Sequence, residues 1–215
     1  MGIRDKLHAE NIHKAFTWII RLSLVVAFVL AIYQSRYTVV MVTALTFILT
    51  FIPEFIEHKY QVKLPIEFEM FVVLFIFASL YLGEVHRYYD QFWWWDSALH
   101  IGSGVALGFV GFAIMLILDK AGKIQTSPFI LSLFAFCFAM AAGAVWEIFE
   151  FAMDMIFGLN MQKGLVDTMA DLIADAAGAI VASTAGYFYI KYDKTMILSQ
   201  GLEKFVKKNP QVFDK

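Results

Sequence analysis

Long apolar runs constrain this chain more than any other feature of its sequence. Runs of about 20 residues, the length that an α-helix needs to cross a bilayer, recur along nearly the whole chain. The composition agrees, because 60% of the 215 residues are hydrophobic, whereas soluble domains average about 45–50%. We therefore expect an all-α, polytopic membrane protein whose principal partner is the lipid bilayer.

Six apolar segments predict six transmembrane helices. They cover residues 18–33, 38–56, 68–82, 97–118, 129–157 and 168–190. Residues 17–190 would then form the membrane-embedded core, and the lysine-containing residues 191–215 a cytoplasmic tail. Because no linker or low-complexity segment interrupts residues 1–215, we expect a single integral membrane domain.

Basic residues are distributed unevenly between the two sides of the predicted membrane. One side collects Arg4, Lys6, Lys14, Lys59, Lys63, Lys120, Lys123 and the lysines from Lys191 to Lys215. The other side carries only Arg36, Arg87 and Lys163. The positive-inside rule therefore predicts that both termini lie in the cytoplasm, in a multi-pass protein of the cell (inner) membrane. The net charge of −2 is too small to indicate a nucleic-acid partner.

Acidic side chains interrupt the apolar segments near the C-terminus. Glu147 and Glu150 lie in the fifth segment, Asp171 and Asp175 in the sixth, and His100 in the fourth. No Lys or Arg lies inside these three segments, and one charge at the bilayer centre costs about 2.5–3.5 kcal/mol on insertion scales. A bound metal ion or retained protons would compensate this cost.

Helical spacing and the predicted orientation bring these groups to the outer half of the membrane. Residues three or four positions apart share a helix face, as Glu147 does with Glu150 and Asp171 with Asp175. Further candidate ligands in the same half are Asp96, Asp154 and Asp167. These three also have a plainer interpretation, as helix caps or solvated residues at helix ends.

One imidazole among carboxylates is typical of a divalent-metal site. Oxygen ligands favour Mg, Ca or Mn, whereas an imidazole favours Zn or Fe. The predicted ligands are His100, Glu147, Glu150, Asp171 and Asp175. Two alternatives remain open, a proton-carrying carboxylate cluster without metal and a hydrogen-bonded network that only fixes helix packing.

The outer position of the cluster favours a metal-dependent enzyme that acts on lipid or lipid-linked envelope substrates. The ion would activate water, and a remaining carboxylate would serve as general base. The alternative is a cation- or proton-coupled transporter that uses the same acidic groups. Its inner carboxylates would be Glu54 and Glu57, and the similar pentads 53–57 and 146–150 agree with an inverted repeat.

The order of these motifs resembles that of the YjdF-like inner-membrane proteins. The likeness covers residues 54–183 and is carried by Trp95-Asp96 with His100, Glu147-x-x-Glu150, Asp167-x-x-x-Asp171 and Gly178. A more distant likeness to the VanZ-like membrane family shares an Asp-x-x-x-His, a Glu-containing helix and a late acidic helix. The resemblance implies the helical fold and the site but no reaction. Glu150 and Asp175 replace the Gln and Asn of the VanZ pattern, which makes this cluster more acidic and favours a cation.

Overall fold

Helices account for almost all of the chain that the structure, a computed structural model, describes: residues 3–158, 161–192 and 200–213. The α-helices are α1 (Ile3–Tyr33), α2 (Tyr37–Leu49), α3 (Ile52–Tyr60), α4 (Ile66–Ile76), α5 (Tyr88–Gln91), α6 (Trp95–Lys120), α7 (Pro128–Phe157), α8 (Leu165–Tyr192), α9 (Gln200–Lys208) and α10 (Pro210–Phe213). A π-helical segment, Phe77–Val85, continues α4. Within the described ranges there is no strand, so the all-α prediction is confirmed.

Five helical segments of the described chain are long and apolar enough to cross a membrane. They are Ile12–Tyr33, Tyr37–Tyr60, Ile66–Val85, Trp95–Asp119 and Pro128–Phe157. These segments match the first five predicted spans. Helix α8 has 28 residues, which at about 1.5 Å per residue is long enough to span a bilayer, but its aspartates and many small residues lower its hydropathy. The sixth span and the cytoplasmic placement of both termini therefore stay predictions.

The chain divides into two compact units, Met1–Trp95 and Asp96–Lys215. The first unit is organised around a buried arginine. Arg21, on α1, donates from Nη2 to Glu54 Oε1 at 2.6 Å and to the Thr50 carbonyl at 2.9 Å, and from Nε to Thr50 Oγ1 at 3.1 Å. Its guanidinium also lies 3.7 Å from the centroid of the Phe51 ring. These contacts offset the cost of burying the cation and fix α1 against the junction of α2 and α3.

Small residues let helices α6 and α8 of the second unit approach at backbone distance. A Cβ atom added at Gly178 on α8 would overlap the carbonyl oxygen of Ile101 on α6, and one added at Gly104 would meet the carbonyl oxygen of Asp175. Such contacts are how helices associate in lipid, where apolar burial offers little driving force. Side chains that lie one turn from these glycines, on the same helix faces, are therefore close to one another.

The C-terminal helices α9 and α10 pack against α6 and α7 within the second unit. Phe213 of α10 is buried in an apolar cluster with Phe112 of α6 and Leu131 of α7, and Phe205 and Val206 of α9 pack against that cluster. From the sequence the tail would be either an amphipathic helix on the lipid surface or a solvated segment. Its described part, residues 200–213, instead turns its apolar face toward protein. Residues 193–199 and 214–215 lie outside the described part of the chain. The single domain over 1–215 stays a prediction.

Candidate metal centre

His100 lies among carboxylates supplied by three helices. Helix α6 carries Asp96 and His100 in its first turns, α7 carries Glu147 in its second half, and α8 carries Asp171 and Asp175 in its first half. The exposed fraction is 8% for His100, 5% for Glu147, 3% for Asp171 and 1% for Asp175. These side chains are removed from solvent, so the group they form is not a solvated acidic surface.

Three carboxylates face the Nε2 atom of His100. Its distances are 3.7 Å to Asp96 Oδ1, 3.9 Å to Glu147 Oε1 and 4.0 Å to Asp171 Oδ1. One ligand atom from each of Asp96, His100 and Asp171 lies within 4.8 Å of the other two. Neighbouring ligand atoms around a divalent ion are separated by about 3–4 Å when the bonds measure about 2.0–2.2 Å. The donor types and their spacing therefore suit a divalent cation.

The other ring nitrogen of His100 faces a fourth carboxylate. Nδ1 lies 3.3 Å from Asp175 Oδ2, and the hydroxyl of Ser103 donates to Asp175 Oδ1 at 3.2 Å. A carboxylate at Nδ1 favours the tautomer that carries its proton there and leaves the lone pair of Nε2 for a ligand. Asp175 is therefore placed to orient the imidazole, and its role as a metal ligand stays a prediction.

Gly143 of α7 makes room for this carboxylate. A Cβ atom at position 143 would overlap Asp175 Oδ2. Gly143 lies one turn before Glu147 on the same helix face. The absence of a side chain here lets α7 close over Asp175 and brings Glu147 toward His100.

Glu147 is a buried acid with few contacts that would stabilise its negative charge. Both of its carboxylate oxygens are buried, and neither makes a hydrogen bond of ordinary geometry, although the hydroxyl of Thr168 lies close by. Leaving a buried polar group unsatisfied costs about 1–3 kcal/mol, and more for a charged group. The nearest charge of opposite sign that reaches it is the ring of His100, at 3.9 Å. The carboxylate is therefore built to receive either a positive ion or a proton.

Asp96 connects the cluster to a lysine at the end of the bundle. Its Oδ2 atom pairs with Lys163 Nζ at 3.2 Å while Oδ1 faces His100. Burial disfavours the charged ammonium of Lys163, but the carboxylates of Asp96 and Asp167 outweigh that effect and raise its pKa above the ordinary value for lysine. Asp96 thus belongs to the cluster itself, in addition to lying in the first turn of α6.

Two of the candidate ligands instead fix the loop between α7 and α8. Asp154 accepts from the backbone N–H groups of Met161 and Gln162 at 2.8 and 2.9 Å. Asp167 accepts from the backbone N–H of Lys163 at 3.1 Å. For Asp167 this contact agrees with the capping role that the sequence left open, whereas Asp154, for which the plainer interpretation was a solvated helix end, binds the loop backbone. Their role as metal ligands stays a prediction.

Glu150, a further predicted ligand, points toward a neighbour on its own helix. Its Oε1 atom accepts from the indole Nε1 of Trp146 at 3.0 Å. It is half-buried and is not among the four carboxylates that face His100. Its ligand role stays a prediction.

Ser103, Gly143 and Lys163 contact the cluster but were not predicted. Ser103 lies three residues after His100, so helical spacing is a signal for it. Gly143 is one of many small residues in these segments, and Lys163 reaches Asp96 only because of the loop conformation. The sequence pattern has no signal that singles out either of them.

The fold and the buried cluster define an all-helical membrane protein with an acid–histidine site. The chain matches the family described as "Predicted membrane protein (DUF2238)" over residues 16–192. It therefore belongs to this family, in agreement with its resemblance to YjdF-like membrane proteins.

Comparisons with individual proteins add one relative. A protein of Thermotoga maritima described as an uncharacterized protein is 31% identical over 113 residues, which is 52% of this chain and 57% of that protein. The alignment thus spans little more than half of the relative's length. No solved structure matches the chain. The comparisons establish a membrane-protein family, and the chemistry of the site rests on its geometry.

Proposed function

We propose that this protein binds one divalent metal ion within the membrane through His100 Nε2 and the carboxylates of Asp96, Glu147 and Asp171. The observation that carries the proposal is the pair of buried oxygens of Glu147 beside Nε2, neither of which makes a hydrogen bond of ordinary geometry. A divalent cation at this position would satisfy those oxygens and offset the negative charge of the other carboxylates. Asp175 would orient the imidazole through Nδ1.

The donor set narrows the choice of ion. Three carboxylates and one imidazole suit Mn²⁺ and Fe²⁺, which accept mixed oxygen and nitrogen ligands. Mg²⁺ and Ca²⁺ prefer oxygen alone, and structural Zn²⁺ sites are usually richer in sulfur or nitrogen. We therefore place Mn and Fe ahead of Zn, Mg and Ca.

The reaction that we propose is metal-dependent hydrolysis of a lipid or lipid-linked envelope substrate. When bound, such an ion polarises a substrate oxygen and lowers the pKa of water. Glu150, half-buried on the same helix face as Glu147, is the candidate general base. The loop charges support a location in the outer half of the inner membrane, with both termini in the cytoplasm.

A transporter based on the same carboxylates is the competing proposal. It needs acidic groups that are accessible from the other side as well, and the sequence offers Glu54 and Glu57 there. Glu54 is paired with Arg21. Glu57 accepts from the backbone N–H of Leu64 at 2.7 Å and lies 3.5 Å from Lys63 Nζ. Both carboxylates thus have structural partners, which favours the enzyme over the relay.

Elemental analysis of the detergent-purified protein tests the proposal. We expect the wild type to carry close to one metal ion per chain and the Glu147→Ala/Asp171→Ala double variant to carry none. Glu57→Gln is the matched control, because it changes an acidic residue outside the cluster and should leave the metal content unchanged. A wild type that stays metal-free after dialysis against Mn²⁺, Fe²⁺, Zn²⁺ and Mg²⁺ would refute the metal site. Proton-coupled transport would then be assayed in proteoliposomes.

A further inference from the structure

We infer that Lys163 binds the phosphate group of a phosphate-bearing substrate at the proposed metal centre. This inference rests on the proposed function and names the substrate class of that site. It starts from the position of one side chain that the metal-binding proposal does not use.

The loop between α7 and α8 holds Lys163 beside the cluster. Asp154 binds the backbone of Met161 and Gln162, and Asp167 binds the backbone N–H of Lys163 itself. The two residues before Lys163 and its own N–H are thereby tied to aspartates at the adjoining helix ends. The backbone at Lys163 is therefore held beside the cluster, and its ammonium is held by Asp96.

Asp96 links the ammonium to the metal position. One of its oxygens lies 3.2 Å from Lys163 Nζ, and the other faces His100 Nε2 at 3.7 Å. The ammonium is thus separated from the proposed ion by a single carboxylate. The side chain of Lys163 keeps 37% of its surface exposed, so a ligand can approach it from outside the bundle.

Other basic residues of this unit lie elsewhere. In the described part of residues 96–215, Lys163 is the one Lys or Arg between the end of α7 and the start of α8. Lys123 lies between α6 and α7, and Lys191 lies in the last turn of α8. Among these basic residues, Lys163 is therefore the one that brings positive charge to the cluster.

A divalent ion next to an ammonium is a common arrangement for phosphate. The ion and the ammonium take different oxygens of the phosphoryl group and stabilise the charge that develops there. Lysine serves well as a point charge for phosphate oxygens. A neutral carboxylic ester would gain less from the ammonium, because its carbonyl oxygen carries no full charge. The pairing of ion and ammonium thus selects phosphate-bearing substrates.

The test uses the full-length protein loaded with Mn²⁺, freed of excess metal, and inorganic phosphate as the probe. Phosphate held at the site relaxes its ³¹P nucleus rapidly through the paramagnetic ion, and titration gives the dissociation constant. We expect Lys163→Gln to weaken phosphate binding about tenfold or more, since a charge-assisted hydrogen bond is lost. Lys163→Arg should retain most of the affinity, and Lys191→Gln, the matched control, should bind like the wild type.

Manganese content measured on every variant separates the two proposals. A wild type without bound Mn²⁺ refutes the metal site. A metal-loaded wild type that binds no phosphate, or a Lys163→Gln protein that binds it as tightly as wild type, overturns the role of Lys163. Competition by phosphatidate in mixed micelles, with phosphatidylcholine as the comparison, distinguishes a lipid headgroup from a soluble phosphate. If phosphatidate displaces inorganic phosphate, the site binds a lipid headgroup. If phosphatidate does not compete while inorganic phosphate still binds, the site binds a soluble phosphate.

Discussion

The two nitrogens of His100 face different surroundings: Nδ1 lies 3.3 Å from Asp175 Oδ2, whereas Nε2 lies among three other carboxylates. This division assigns different tasks to acids that look equivalent in the sequence. Asp175 is placed to orient the ring, and the proposed ion would lie on the other side of the ring, among Asp96, Glu147 and Asp171.

Asp175→Asn therefore tests whether Asp175 orients the imidazole of His100 or binds the metal ion itself. Asparagine retains an oxygen that can face Nδ1 but loses the charge, so metal affinity should fall by about 10–100-fold while binding remains measurable. Isothermal titration of the apo protein with Mn²⁺ measures this change. Asp171→Asn serves as the comparison and should abolish binding. Equal and complete loss in both variants would mean that Asp175 is itself a ligand.

Glu147→Gln should separate folding stability from metal binding. The substitution removes a buried charge that makes no hydrogen bond of ordinary geometry, so the apo variant should unfold at the same temperature as wild type or higher. Added metal at 100 times its dissociation constant stabilises a binding protein by about 2.7 kcal/mol. Thermal unfolding in detergent should show this gain for wild type and none for the variant. A metal-dependent rise of equal size in both would remove Glu147 from the site.

Gly143→Ala should disturb the cluster without replacing a charged residue. The new methyl group would overlap Asp175 Oδ2, and overpacking of this kind costs about 1–3 kcal/mol. We expect a lower midpoint of unfolding and weaker Mn²⁺ binding. Gly201→Ala is the control, because a Cβ there meets no atom within 4 Å. Unchanged metal affinity in Gly143→Ala would show that α7 does not need this close approach.

Arg21→Met tests the hydrogen-bond network of the first unit. The variant loses the hydrogen bonds of the Arg21 guanidinium to Thr50 and Glu54, which should destabilise the protein by about 1–3 kcal/mol. The metal content should stay unchanged. Chemical unfolding and elemental analysis of the same sample measure both quantities. Glu54→Gln keeps an acceptor for the guanidinium on a side chain that is 52% exposed, so its effect should be smaller. A larger loss in Glu54→Gln than in Arg21→Met would contradict this account of the network.

The helical spacing of the acids was sufficient to predict much of the cluster. His100, Glu147, Asp171 and Asp175 come together because residues three or four positions apart share a face and because the helices alternate in direction. The orientation of the imidazole was not predictable in this way. It depends on contacts between α6, α7 and α8 in which Gly143 and other small residues set the distance.

Loop geometry explains what else the sequence pattern missed. Lys163 reaches Asp96 from a loop in which Asp154 holds the backbone just before it and Asp167 binds its own backbone N–H. Those hydrogen bonds join loop N–H groups to carboxylates four to eight residues away, and helical periodicity carries no information about them. The packing of α9 was not predictable for a related reason. An amphipathic helix with Phe205 on its apolar face has the same sequence pattern whether that face contacts lipid or protein.

The apolar packing around Phe112 limits where a substrate could enter the second unit. Phe112 is fully buried and lies twelve residues after His100 on α6, about 18 Å along the helix axis. Leu116, Leu131 and Phe213 surround it, so the bundle is filled with apolar side chains at that end. If the proposed enzyme admits its substrate beside Lys163, the product would leave by the same route, which would place product release among the steps able to limit turnover.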